Sequence, residues 1–194
     1  KLHRVNFSDE YWNNIFKSFI ENYKKGFTPN PDILCNKYIK FKVFIDYAKQ
    51  LGFEKIATGH YAMISKKNNL YSLKTPRDKR KDQTYFLHTL NQEQLSKVIF
   101  PLADIEKHDV IKLAKENNFK SYNKKESMGI CFIGNKKFKN FISKYIDDRP
   151  GDVLNEKNEL IGKHNGMFYS TIGQREGSGI GGIKNTKNLP WYVY

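Results

Sequence analysis

The sequence predicts a layered α/β domain over residues 1–135, followed by a small β-rich module over residues 136–194. Three observations carry this. Helical and strand-like patterns alternate before the boundary, which is the signature of layered α/β architecture. After Arg149-Pro150-Gly151 the texture changes to short strand-like runs separated by Gly-rich turns. Hydrophobic residues make up 39% and aromatics 14%, enough for a packed core.

The first helix is set by Trp12, Ile15, Phe16, Phe19, Ile20 and Tyr23, which recur at steps of three and four. Ser8 is its expected cap, Asp9 and Glu10 suit its first turn, and Gly26 ends it. A second helix begins in "TPNPDILCNK", where Asn30 suits the N-cap and Pro31 the first helical position. Its apolar positions run through Ile33, Leu34, Tyr38, Phe41, Phe44, Ile45 and Ala48, and Gly52 closes it.

"EKIAT" (54–58) then reads as a buried strand ending in Gly59-His60. "YAMIS" (61–65) and "LYSLK" (70–74) read as a hairpin turning at "KKNN". A charged loop, "TPRDKRKDQ" (75–83), leads to helices near 82–90, 92–98 and 107–117. Residues 126–134 read as a loop entering a short strand, and 136–146 as a basic helix. "GDVLN", "ELIGKHNG" and "MFYSTIGQ" are the expected short strands of the second module.

The formal net charge is +14, from 34 basic and 20 acidic side chains. An excess of this size attracts polyanions through counterion release and points first to nucleic acid. Lysines spread along the whole chain also fit a general compositional bias. No helix pattern is basic on one face and broadly apolar on the other, so a membrane surface is disfavoured. Two cysteines are too few for a disulfide-stapled scaffold, so a reducing cytoplasm is the expected location.

Those cysteines, Cys35 and Cys131, both lie among apolar neighbours. On residue type alone each reads as a small hydrophobe. Cys35 differs in one respect: Asp32 precedes it by three residues in the opening turns of a helix, on the same face. The helix dipole there favours a thiolate, while the carboxylate opposes one and suits proton transfer instead. Cys131 is flanked by Gly129 and Gly134, which let backbone pass close to a ligand.

No Cys-x-x-Cys or Cys/His cluster has metal spacing, so no metal site is expected, and His60, His88, His108 and His164 are scattered. Gly59 and His60 end a strand, where ligands of open α/β sheets bind. Lys81, Asp82 and Gln83 sit in a loop that suits either solvent or phosphate. "GSGIGG" (177–182) carries no P-loop Lys-Ser/Thr pair and reads as a flexible loop.

Taken together, "TPNPDILCNKYIKF", "ATGHYA", "KDQTYFL", "ESMGICFIG" and "YSTIGQREGSGIGG" occur in an order that closely resembles the tRNA-specific 2-thiouridylase (MnmA) family. The resemblance implies an adenine-nucleotide-hydrolase-like (Rossmann-like) domain, present in part, and a β-rich central domain. It implies ATP and Mg as cofactors, tRNA as substrate, and a sulfur-donor protein, a cysteine desulfurase or sulfur-relay protein, as partner.

In such enzymes the wobble uridine carbonyl is adenylated and a cysteine persulfide then delivers sulfur. On this resemblance Cys35 matches the nucleophile, Cys131 the persulfide carrier and Asp32 the acid/base. Asn30, Pro31 and Asp32 would face the target base, Gly59 the nucleotide, and His60, Lys81, Asp82 and Gln83 the tRNA.

The family's Ser-Gly-Gly-x-Asp-Ser pyrophosphate loop has no match here. The expectation is therefore a fragment that also stops short of the family's C-terminal β-barrel. Alternative readings are a catalytically incomplete tRNA-binding remnant and an ATP-pyrophosphatase-type ligase or amidotransferase. The cysteine pair argues against the last, because carboxyl activation needs no redox-active thiols.

Overall fold

The computed structural model describes residues 2–123, 138–175 and 191–194. The chain forms two compact units, the first containing residues 2–16 and 30–123 of these, and the second residues 17–29, 138–175 and 191–194.

Helix α1 runs from Ser8–Tyr11 through wide, π-type turns at Trp12–Phe16 into Lys17–Lys24. Its start differs from expectation. Phe7 holds the cap position without a side-chain cap bond, Ser8 is the first helical residue, and Asn6 Oδ1 accepts the Ser8 N–H at 3.0 Å. Ile15, Phe16, Phe19, Ile20 and Tyr23 are buried as their spacing requires, while Trp12 is exposed. Gly26 ends the helix at φ +83°, a left-handed conformation that glycine adopts without strain.

Helix α2 starts as the sequence dictates. Asn30 accepts the Asp32 N–H at 3.1 Å and Pro31 occupies the first turn. Pro31–Leu34 is α-helical, Cys35–Val43 is wound in π-type turns, and Phe44–Gln50 returns to α. The Phe44 N–H reaches back to the Ile39 carbonyl, an i to i−5 bond.

This winding changes which residues are buried. Pro31, Asn36 and Phe41 recur at steps of five, then Ile45 and Ala48 at steps of four and three. Phe44, expected on the apolar face, is exposed, and Asn36, a polar residue left out of the expected apolar face, takes a core place with Ile39 and Phe41.

Strand β1 (Ile56–Ala57) pairs in parallel with β4 (Val98–Ile99), and Ile56 and Val98 are the buried members of the pair. Val98 of β4 was expected as the end of the helix over 92–98. Helix α3 stops at Ser96 (Gln92–Ser96), held at its start by a capping box between Asn91 and Gln94.

Strands β2 (Met63–Lys67) and β3 (Leu70–Lys74) form the expected hairpin. Its turn is the two residues Asn68 and Asn69, both at positive φ, as a tight primed turn requires. The helix expected near 82–90 is only a 3₁₀ turn, Thr84–Leu87. Helix α4 (Lys107–Glu116) stands where predicted. One core unites Phe41, Ile45, Ile56, Leu87, Val98 and Phe100.

In the second unit, helix α5 (Phe138–Ile142) contributes the fully buried Ile142. Strands β5 (Gly151–Leu154) and β6 (Leu160–His164) pair antiparallel. A side chain at Gly151 would lie 2.8 Å from the His164 ring, so a larger residue there would require that ring to shift. "MFYSTIGQ" is not a strand: Met167–Tyr169 is a 3₁₀ turn, fastened where the Tyr169 hydroxyl donates to Asp148 at 2.6 Å. Burial and that carboxylate push the Tyr169 hydroxyl up to about 12, so it stays a donor. The strand expected near 126–134 and the loop at 177–182 lie outside the described residues.

Phe41 is 1% exposed and joins α2 to the central cluster. Phe41→Ala should lower unfolding free energy by roughly 3–5 kcal/mol in a urea titration.

Candidate functional site

Cys35 is half-buried and opens the wide-turn stretch of α2. Its own N–H is already engaged by the Pro31 and Asp32 carbonyls, so it stands just inside the helix start and not among the open amides. Asp32 lies three residues earlier, half-buried, in the first turn. Asn30 and Pro31 are occupied in building that turn, one as cap and one as buried first residue. The segment "NPD" thus forms a capped helix entrance just ahead of Cys35.

Gly59 and His60 follow β1. A side chain at Gly59 would meet nothing within 4 Å, so the space beyond the carboxyl end of this strand is open. His60 is half-buried between Phe41 and Phe100, at ring distances of 5.6 and 6.1 Å. Its Nδ1 lies 2.9 Å from the Thr58 hydroxyl. Burial, with the Lys40 charge, pulls its pKa down to about 4, so the imidazole is neutral at pH 7. It offers a hydrogen-bonding ring and not a cation.

The loop before Thr84 is built more firmly than its composition suggested. Lys79–Lys81 is a 3₁₀ turn. Asp78 is 4% exposed, and its Oδ1 accepts from the Arg80 N–H at 3.2 Å while its Oδ2 accepts from the Lys107 N–H at 3.1 Å. The Lys107 amide, aided by Arg80, holds its carboxyl below the usual carboxylate range. Glu106 adds ion pairs to Arg77 at 3.9 Å and Arg80 at 4.0 Å. Asp78 escaped the sequence reading because a carboxylate in a charged run looks solvated.

Asp82 and Gln83 have local duties in the same loop. Asp82 Oδ1 accepts the Thr84 N–H at 3.0 Å and its hydroxyl at 2.8 Å. Gln83 exchanges two bonds of 2.9 Å with the Tyr61 backbone, its side chain accepting the Tyr61 N–H and its own N–H reaching the Tyr61 carbonyl. These anchors order the turn, in which Lys79 is exposed and Lys81 half-buried.

Two further residues were missed. Asn36 is 2% exposed and donates through Nδ2 to the Phe86 carbonyl at 2.9 Å. Gln94 donates through Nε2 to the Lys37 and Phe41 carbonyls at 3.0 and 2.9 Å. The unit therefore carries α2, the strand end at Gly59 and the Lys79–Lys81 turn as one hydrogen-bonded frame. Cys131 lies outside the described residues.

A family model described as the tRNA methyl transferase HUP domain matches residues 1–135. The chain belongs to this family. A second, described as the tRNA methyl transferase PRC-barrel domain, matches residues 139–194. The chain is 54% identical over 193 residues to a tRNA-specific 2-thiouridylase MnmA of Buchnera aphidicola subsp. Acyrthosiphon pisum (strain APS), covering 99% of the chain and 52% of that protein. It is 53% identical over 193 residues to a protein of the same name from Ruthia magnifica subsp. Calyptogena magnifica, covering 100% of the chain and 53% of the relative. The chain thus spans about half the length of these curated relatives.

His60 makes stability depend on pH. The unfolded ring titrates near its ordinary value of about 6.5 and the folded one near 4. Stability from this group is present above pH ~6.5 and is lost as pH falls towards 4. Between pH 7 and 5 the loss should be on the order of 1 kcal/mol, and His60→Asn should flatten it in urea titrations.

Proposed function

We propose that the protein carrying this chain is a tRNA-uridine 2-sulfurtransferase that thiolates the wobble uridine. The observation that carries this reading is Cys35, held half-buried behind a capped Asn-Pro-Asp helix entrance, in a chain more than half identical to proteins named tRNA-specific 2-thiouridylase. The family model's printed name points instead to methyl transfer. The cysteine pair favours sulfur chemistry, since a soft sulfur nucleophile is what an activated carbonyl carbon needs to become a thiocarbonyl.

Residues 1–135 would form the nucleotide-handling domain and 136–194 the central β-rich domain. ATP, when bound, would supply the adenylyl group that makes the uridine oxygen a leaving group. The open space at Gly59, beyond the carboxyl end of β1, fits such a ligand. No three acidic, His or Cys side chains among the described residues group to hold a metal. Magnesium would be held chiefly by the nucleotide phosphates, as is usual for this ion.

The chain's own residues then divide the work. Asn30, Pro31 and Asp32 would face the splayed-out base, with Asp32 moving the proton of the reacting group. His60, neutral, would contact tRNA by hydrogen bonding, beside Lys81, Asp82 and Gln83. A persulfide on Cys131, loaded by a cysteine desulfurase or relay protein, would present its outer sulfur to the uridine carbon. As that sulfur bonds carbon and AMP departs, the Cys35 thiolate attacks the Cys131 Sγ. A disulfide forms and two electrons pass to the transferred sulfur. A dithiol reductant must then restore both thiols. This chemistry belongs in a reducing cytoplasm.

The test supplies the protein with ATP, magnesium, a persulfide donor and tRNA, and reads 2-thiouridine by nucleoside mass spectrometry. Cys35→Ser and Cys131→Ser should each abolish the product while leaving tRNA binding in place. Normal thiolation by either variant would remove the two-cysteine mechanism, and a methylated base would restore the methyl-transfer reading.

A further inference from the structure

The wide-turn stretch Cys35–Val43 is not sustained by the intrinsic preference of its backbone. π-type turns are rare, and a nine-residue run of them needs outside support. Two side-chain amides supply contacts of the required kind. Gln94, on α3, donates its Nε2 to the Lys37 carbonyl at 3.0 Å and the Phe41 carbonyl at 2.9 Å. Its Oε1 meanwhile accepts the Asn91 N–H at 3.0 Å, so the same side chain is fixed by its own capping box. Asn36 donates to Phe86 at 2.9 Å, and its Oδ1 is buried with no partner among the described residues.

Were the stretch to tighten to α register, Pro31, Asn36 and Phe41 would leave their common buried face. Ile45 and Ala48 anchor the later turns in the core, so the helix entrance would rotate and carry Cys35 with it. We propose that Gln94 and Asn36 are positioning residues for Cys35, holding the wide-turn register that sets where its thiol points. Their importance to catalysis rests on the reading of Cys35 as the nucleophile, but the geometry is testable without turnover.

Four proteins are made in a Cys131→Ser background, so that Cys35 is the single thiol: the parent, Gln94→Glu, Asn36→Leu and Gln92→Glu. Gln94→Glu keeps an acceptor for Asn91 but replaces the donor to the two helix carbonyls with a charged, acceptor-only oxygen that repels them. Gln92→Glu is the matched control, because Gln92 makes the same kind of bonds, both 2.8 Å, to the Tyr71 backbone of the hairpin. Iodoacetamide alkylation of Cys35 is followed against pH, with circular dichroism to verify folding.

Gln94→Glu and Asn36→Leu should change the alkylation rate by about threefold or more and move its pH midpoint, with Gln92→Glu matching the parent. Profiles that stay with the parent while the proteins remain folded would overturn the proposal, even if melting temperatures fall. An equal shift in Gln92→Glu would overturn it too. Should Gln94→Glu fail to fold, Asn36→Leu, which removes the bond to Phe86 without placing a charge beside the thiol, decides instead. Loss of thiolation by Cys35→Ser is a separate outcome, so failure here and failure of the functional reading are distinguishable.

Discussion

One side-chain amide meeting two backbone carbonyls organises the candidate site. Gln94 reaches from a short helix into the wide turns of α2 and bonds Lys37 and Phe41. The helix that presents Cys35 and the segment ending in β4 are thereby tied, and β4 pairs with the strand leading to Gly59. Asn36 adds a second tie, to the turn that follows Lys81-Asp82-Gln83. A thiol, an open strand end and a basic turn come from distant parts of the sequence. Polar bonds buried against the Phe41 cluster hold their elements together.

The basic turn illustrates how a charged surface is made rigid. Free lysines on a floppy loop lose side-chain and backbone entropy when they grip a polyanion. Here Asp78 is buried and gathers the Arg80 and Lys107 amides, so the turn is ordered beforehand. His60 sits close in sequence to β1 but contributes no charge, since Phe41 and Phe100 enclose it and Lys40 repels a proton. The ring therefore offers a hydrogen bond and not a charge, in contrast to the basic turn.

Much of this was legible in the sequence, for identifiable reasons. Asn30-Pro31 and Gly26 act locally, so their cap and stop roles could be read directly. The hairpin at Asn68-Asn69 was legible because turn chemistry and period-two patterning agree. What failed depended on partners distant in sequence. The π-type winding of α2, which Gln94 and Asn36 bond, is not encoded in local propensity, so Phe44 was placed on the wrong face and Asn36 outside the core. β4 was missed, its Val98 taken as the end of a helix, because its two residues have meaning only beside β1. Asp78 looked solvated because burial of a carboxylate cannot be seen until Lys107 is folded against it. The motif resemblance pointed to Cys35, Gly59 and Lys81 as candidates but said nothing of the bonds that frame them.

The central claim is that Cys35 acts as the resolving nucleophile towards a persulfide on Cys131. The most direct measurement is peptide mass spectrometry of the protein quenched in acid during a single turnover with tRNA, ATP and a persulfide donor, with no reductant present. The account predicts a Cys35–Cys131 disulfide-linked peptide appearing in step with 2-thiouridine. Stoichiometric product with both cysteines recovered as thiols would contradict it.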